Sequence, residues 1–142
     1  MNNSPFILSS LYIDWVNEIN GWGIFTKEDI KEKTVVEVSP VIVYPEEILK
    51  IASWQTQGDK NAYASLGFTL YSLNWNENYA AIPLGYGGIY NHSDNNNCQF
   101  MNDMDNGLLY IITLKNINAG EQLLVNYGND WFDSKPFPKI DL

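Results

Sequence analysis

His92 is the only histidine in the chain, so a Ser-His-Asp or Cys-His mechanism would have to use it. Cys98, the only cysteine, stands six positions further on, a spacing that leaves a nucleophile and base pair open. A structural histidine with satisfied hydrogen bonds is the alternative use. The residue sits in Asn91-His92-Ser93, between the glycine-spaced apolar stretch Leu84 to Tyr90 and Asn97-Cys98. Tyr127 closes the run Gly120-Glu121-Gln122-Leu123-Leu124-Val125-Asn126-Tyr127 and offers either a hydroxyl at a site or one more core ring among nine tyrosines. Gly21-Trp22-Gly23 permits unusual φ and close approach of a ligand to the main chain. It lacks the third glycine and the βαβ setting of a dinucleotide fingerprint, and a plain turn before a strand would use the same residues.

These groups must be held by short, mostly extended elements. Trp22 to Thr26 and Thr34 to Tyr44 are rich in β-branched and aromatic residues and read as strands, with the charged segment Lys27 to Lys33 connecting them. Pro45-Glu46-Glu47 has the composition of a helix start, and Ile48, Leu49, Ile51, Ala52 and Trp54 supply an apolar face over two to three turns. Gln55 to Asn61 reads as a surface loop. Phe68 to Leu73 and Tyr79 to Pro83 read as strands separated by the polar run Asn74 to Asn78. Asp105-Asn106-Gly107 suits a tight hairpin, which pairs Cys98 to Met104 with Leu108 to Leu114. Asn116 to Gly120 is a further turn, and Glu121 to Val125 a last strand. The fold class expected is β-dominated α+β, with little room for a parallel βαβ sheet.

Three of these segments, in order, resemble the signature of the SET domain, the fold of most protein-lysine methyltransferases. Gly21-Trp22-Gly23-Ile24-Phe25 and the residues to Ile30 resemble "GxGLFAxxxI", Asn91-His92-Ser93 with Asn97-Cys98 resembles "NHSCxPNC", and Gly120-Glu121 followed by Tyr127 resembles "GEELxxxY". The resemblance spans about residues 15 to 133 and implies one SET domain over residues 1–142. It implies short antiparallel strands, one or two short helices and a pseudoknot-like C-terminal segment. It also implies S-adenosylmethionine as methyl donor and S-adenosylhomocysteine as product, with no metal. Donor contacts would come from Gly21, Trp22, Gly23, Asn91, His92, Tyr127 and Trp131, with Trp131 or Phe132 covering the adenine as in compact viral and bacterial members that lack a zinc-binding segment. Tyr127 would be the catalytic residue, and Tyr90, Phe100, Val125 and Tyr127 would line the substrate channel.

The chain departs from the pattern at three places. Asp94 replaces a cysteine, and Asn96 replaces a proline, which loosens the turn. Val38 stands where the "EYxGE" tyrosine would be and weakens substrate grip unless Tyr63, Tyr71 or Tyr90 compensates. Phe100 falls where some relatives carry a tyrosine that limits the number of methyls added, and a phenylalanine favours further methylation.

Composition bounds the rest. With 45% hydrophobic and 14% aromatic residues, the chain can build an ordered core without disulfides or a zinc cluster. A formal charge of -9, with eight lysines and no arginine, disfavours direct nucleic-acid binding and suits a basic protein, a histone tail or another lysine-containing partner. No secretory signal or membrane-length apolar run is present, so a soluble intracellular protein of cytoplasm or nucleus is expected. A homodimer, as in small viral members, would enlarge the substrate groove. The competing readings are a catalytically inactive SET-fold module that binds a peptide or partner, and a small Cys-His hydrolase.

Overall fold

The β-branched and aromatic segments form ten strands in the computed structural model, which describes residues 4–133 and 135–142. They are β1 (Phe6–Ile7), β2 (Leu11–Val16), β3 (Gly21–Thr26), β4 (Val35–Pro45), β5 (Leu73–Asn76), β6 (Tyr79–Pro83), β7 (Asn91–His92), β8 (Cys98–Asp103), β9 (Leu108–Thr113) and β10 (Gln122–Val125). Helices α1 (Glu47–Gln55), α2 (Lys60–Ser65) and α3 (Phe68–Tyr71) are inserted between β4 and β5, and α4 (Asn129–Asp133) follows β10. One sheet runs β5-β6-β4-β9-β8 with β1 also paired to β4, and a smaller one runs β2-β3-β10-β7.

β9 is central to the larger sheet. Its sequence LLYIIT is nearly continuous in burial because both faces are covered, which is why it does not alternate. β8 and β9 pair in register from Cys98 opposite Thr113 to Asp103 opposite Leu108. Their turn forms where expected, with Gly107 at φ 64° and the Asp103 carboxylate accepting from the Asn106 amide groups. Ile24, Val36, Tyr90, Cys98, Leu109, Ile111, Leu123 and Val125 meet in the main core, so both sheets pack on one apolar interior.

The two early strands fall in different sheets, β3 in the smaller and β4 in the larger, and β2, which supplies β3's antiparallel partner, is a strand the patterning did not single out. Phe68 to Leu73 is helix α3 followed by the start of β5. A four-residue aromatic run is ambiguous between strand and helix. Here Gly67 at φ 65° turns the chain, and the hydroxyls of Thr69 and Ser72 donate to the carbonyls of Tyr63 and Phe68. The polar run after Leu73 is largely strand: Asn76 closes the β5-β6 hairpin by accepting from the main-chain N–H of Asn78 and Tyr79, and Trp75 is buried. The helical insert also exceeds the one or two helices expected. In α1 only Ala52 of the apolar face is buried; Ile48, Ile51 and Trp54 are exposed.

Candidate active site

The three segments singled out by residue type are joined by one strand. β10 lies between β3, to which it is antiparallel (Gln122 opposite Phe25), and β7, to which it is parallel (Leu124 opposite Asn91, Val125 opposite His92). A late strand threaded between two earlier ones realises the pseudoknot-like C-terminal segment. Asn91 fastens the junction, its Nδ2 donating to Trp22 O at 3.0 Å and to Gln122 Oε1 at 2.8 Å. Asn97 extends it as a side-chain mimic of a strand, donating to Gln122 O and accepting from Leu124 N, both at 2.8 Å. Gly23 is packed so closely that a Cβ there would lie 2.4 Å from Gln122 Oε1 and 2.9 Å from Asn91 Nδ2.

Tyr127 is aimed by two contacts. Its main-chain N–H donates to His92 Nδ1 at 3.1 Å, and its hydroxyl donates to the Tyr90 carbonyl oxygen. Because Nδ1 accepts, the His92 proton is on Nε2. That atom is buried without an aligned hydrogen bond, although Asp94 Oδ1 lies 3.2 Å away. His92 therefore positions Tyr127 through its ring. Burial pushes the Tyr127 hydroxyl well above its ordinary pKa, so it is a neutral donor at physiological pH. Trp131 and Phe132, brought by α4, stand 4.7 Å and 5.9 Å from the Tyr127 ring, and Phe132 also meets His92 at 4.9 Å.

Tyr127 opens onto a cleft of about 1100 Å³ between the helical insert and residues 126–131 with Lys135. Phe100, Trp131, Tyr63 and Tyr71 line it. Two of the expected channel residues are placed otherwise. Val125 is a core side chain with 1% exposure, because β10 turns it inward. The Tyr90 ring is wholly buried with its hydroxyl donating to Glu37 Oε2 at 2.8 Å, so Tyr90 reaches Tyr127 only through its carbonyl. Gly21, Trp22, Gly23, Asn91 and His92 do not line this cleft. Sequence reasoning passed over Asn97, Gln122 and Lys135. The first two lay inside quoted motifs and carried a signal; Lys135 carried none.

The SET domain family model matches residues 21–128, which holds β3, β7, β10 and Tyr127. The chain belongs to the SET-domain family. It is similar to the histone-lysine N-methyltransferase, H3 lysine-37 specific, of Schizosaccharomyces pombe, at 30% identity over 92% of this chain and 82% of that protein. It is also similar in structure to a candidate histone methyltransferase of Plasmodium falciparum, with TM-score 0.63, 25% identity, and coverage of 89% of this chain and 99% of that one. Its chemistry is accordingly protein-lysine methylation.

This SET domain resolves its departures from the family pattern locally. Asn96 holds the turn that a proline would stiffen, its Nδ2 donating to Cys98 O at 2.8 Å. Asp94 pairs with Lys139 Nζ at 2.8 Å, which holds its carboxyl below the ordinary range. Val38 packs with Leu108 and Tyr110 in a second core and does not line the cleft, while Tyr63 and Tyr71 supply cleft aromatics. Cys98 is fully buried and its thiol is pushed up to about 12, so the thiolate a hydrolase needs is not formed near neutrality. Among the described residues, His92, Asp94 and Asp141 each bring one ligand-type atom within 4.8 Å of the others, with Lys139 already on Asp94. No helix of the described residues is long and apolar enough to cross a membrane.

Glu37 fixes the platform behind Tyr90. Its carboxylate accepts from Ser39 Oγ, Tyr90 OH and Tyr86 N, and burial raises its pKa against those hydrogen bonds. A Cβ on Gly85 would stand 2.2 Å from Glu37 Oε1 and 2.3 Å from Ser39 Oγ. Gly85→Ala is expected to destabilise the domain by about 1–3 kcal/mol, the usual cost of overpacking. The measurement is urea unfolding, with the midpoint lowered and the slope unchanged.

Proposed function

We propose that this SET domain, acting as one unit over residues 1–142, moves a methyl group from S-adenosylmethionine to the side-chain amine of a lysine in a basic protein such as a histone. The observation that carries it is the Tyr127 hydroxyl, held on the Tyr90 carbonyl at the meeting point of β3, β7 and β10 and at the edge of an aromatic cleft. The residues fit a cationic, adenine-bearing donor. Tyr127, Trp131 and Phe132 gather π faces within 6 Å of one another, suited to a sulfonium and to a base, and Asn91 secures the Trp22 main chain to β7. When bound, the donor supplies an electrophilic methyl on positively charged sulfur.

The chain's own residues do the rest. Tyr127 Oη and the Tyr90 carbonyl present two oxygens to a methyl group, which weak C–H hydrogen bonds can aim. The cleft strips water from an incoming ammonium, lowering its pKa so that the lone pair is free to attack in line. Tyr127, a neutral hydroxyl, orients and does not take the proton. The net charge of -9 draws a lysine-rich segment to the site.

S-adenosylhomocysteine at about 100 times its Kd is expected to raise the melting temperature by roughly 5–10 °C. A transition that does not move would count against the pocket. Labelled S-adenosylmethionine with histone H3 tests transfer. The rate should climb as pH rises from about 7 to 9, because the acceptor amine ionises near 10.4 in water. Burial places the Tyr127 ionisation above that window, so no falling limb from it should appear. A rate independent of pH across that range would contradict an amine that must lose its proton before attack.

A further inference from the structure

The chain carries its own lysine in the cleft. Seven of the eight lysines are exposed; Lys135 alone is buried, at 5% exposure. Its Nζ lies 4.6 Å from the Trp131 ring centroid and 5.5 Å from that of Tyr63, and its side chain lines the same cleft as Phe100 and Tyr127. Trp131 is itself 4.7 Å from Tyr127, so the amine is one ring removed from the methylation residue. The Lys135 main-chain N–H donates to Phe132 O at 3.0 Å, which ties the residue to the end of α4. We infer that Lys135 is an intramolecular methyl acceptor, a self-methylation site that stands where a substrate lysine enters.

The inference rests on the methyltransferase reading and adds a substrate to it. Three features favour Lys135 over the other lysines. It is tethered to the element that carries Trp131, so its encounter with the site is unimolecular. Aromatic faces hold its head group, and they hold a methylated ammonium as well. Burial lowers its pKa, which raises the fraction of neutral amine, whereas Lys139 is exposed and occupied by its ion pair with Asp94. In the reaction the lone pair of the neutral Lys135 nitrogen forms the new N–C bond. The donor's S–C bond breaks with its electron pair returning to sulfur, which becomes a neutral thioether, and the methylated nitrogen releases its extra proton to water.

The test incubates the whole chain with methyl-labelled S-adenosylmethionine and no other acceptor, and maps the label by mass spectrometry after digestion. The label should fall on Lys135, vanish in Lys135→Arg, which keeps a cation on the rings, and persist in Lys60→Arg, an exposed site on α2. The fraction labelled per unit time should be unchanged by dilution. Label confined to other lysines, or a rate that falls on dilution, overturns the inference. Histone H3 assayed in parallel separates the two readings: labelled histone with unmodified Lys135 removes the self-acceptor and leaves the methyltransferase, whereas no label on either removes both.

Discussion

Tyr127→Phe is expected to lower the rate of methyl transfer about 10²-fold, the cost of losing alignment at a reacting centre. The substitution deletes only the hydroxyl that donates to Tyr90 O. The ring keeps its neighbours Trp131, Phe132 and His92, and the main-chain bond to His92 Nδ1 does not involve the side chain. Binding of S-adenosylhomocysteine should therefore change little, and stability should fall by about 0.5–1.5 kcal/mol for one hydrogen bond. Calorimetric titration beside a radiolabel assay reads both quantities. A variant as active as the parent would take Tyr127 out of the chemistry; one that fails to bind the product would make it a pocket residue instead.

Gly23→Ala should strike at donor binding. The new methyl would press on Gln122 Oε1, Val16 Cγ2 and Asn91 Nδ2, all under 3.0 Å, and two of these form the hydrogen bond that joins β7 and β10. The strand position leaves no flexible side-chain tip to yield without breaking that link. Overpacking should lower stability by about 1–3 kcal/mol, and each ~1.4 kcal/mol of lost donor contact at the displaced junction weakens S-adenosylhomocysteine about tenfold. Gly21→Ala is the control, because its Cβ would meet only Ile19, no nearer than 3.5 Å. Equal affinities for the two variants would disconnect the second glycine from the pocket.

Much of the fold was legible wherever local chemistry decides it. Asp105-Asn106-Gly107 gives its turn because Gly107 takes positive φ, and the strands on either side follow from it. Of the helical insert α1 was legible but α2 and α3 were not, since Gln55 to Asn61 read as a loop and Phe68 to Tyr71 could be either element. The face of α1 misled because apolar residues at helical spacing do not ensure a neighbour to cover them. Gly23, Asn91 and Tyr127 were singled out by type and spacing, and the fold brings them to one junction. Their connection through Asn97 and Gln122, and the inward turn of Val125, are products of strand threading between residues about thirty apart, which no local pattern encodes.

The burial of Cys98 has a practical consequence. With its thiol enclosed by the core and held protonated, alkylating probes should pass it by. Ser53 is exposed on α1 and borders the cleft, so Ser53→Cys would give the chain a single addressable sulfhydryl. A fluorophore placed there would report the arrival of a peptide in the groove in real time.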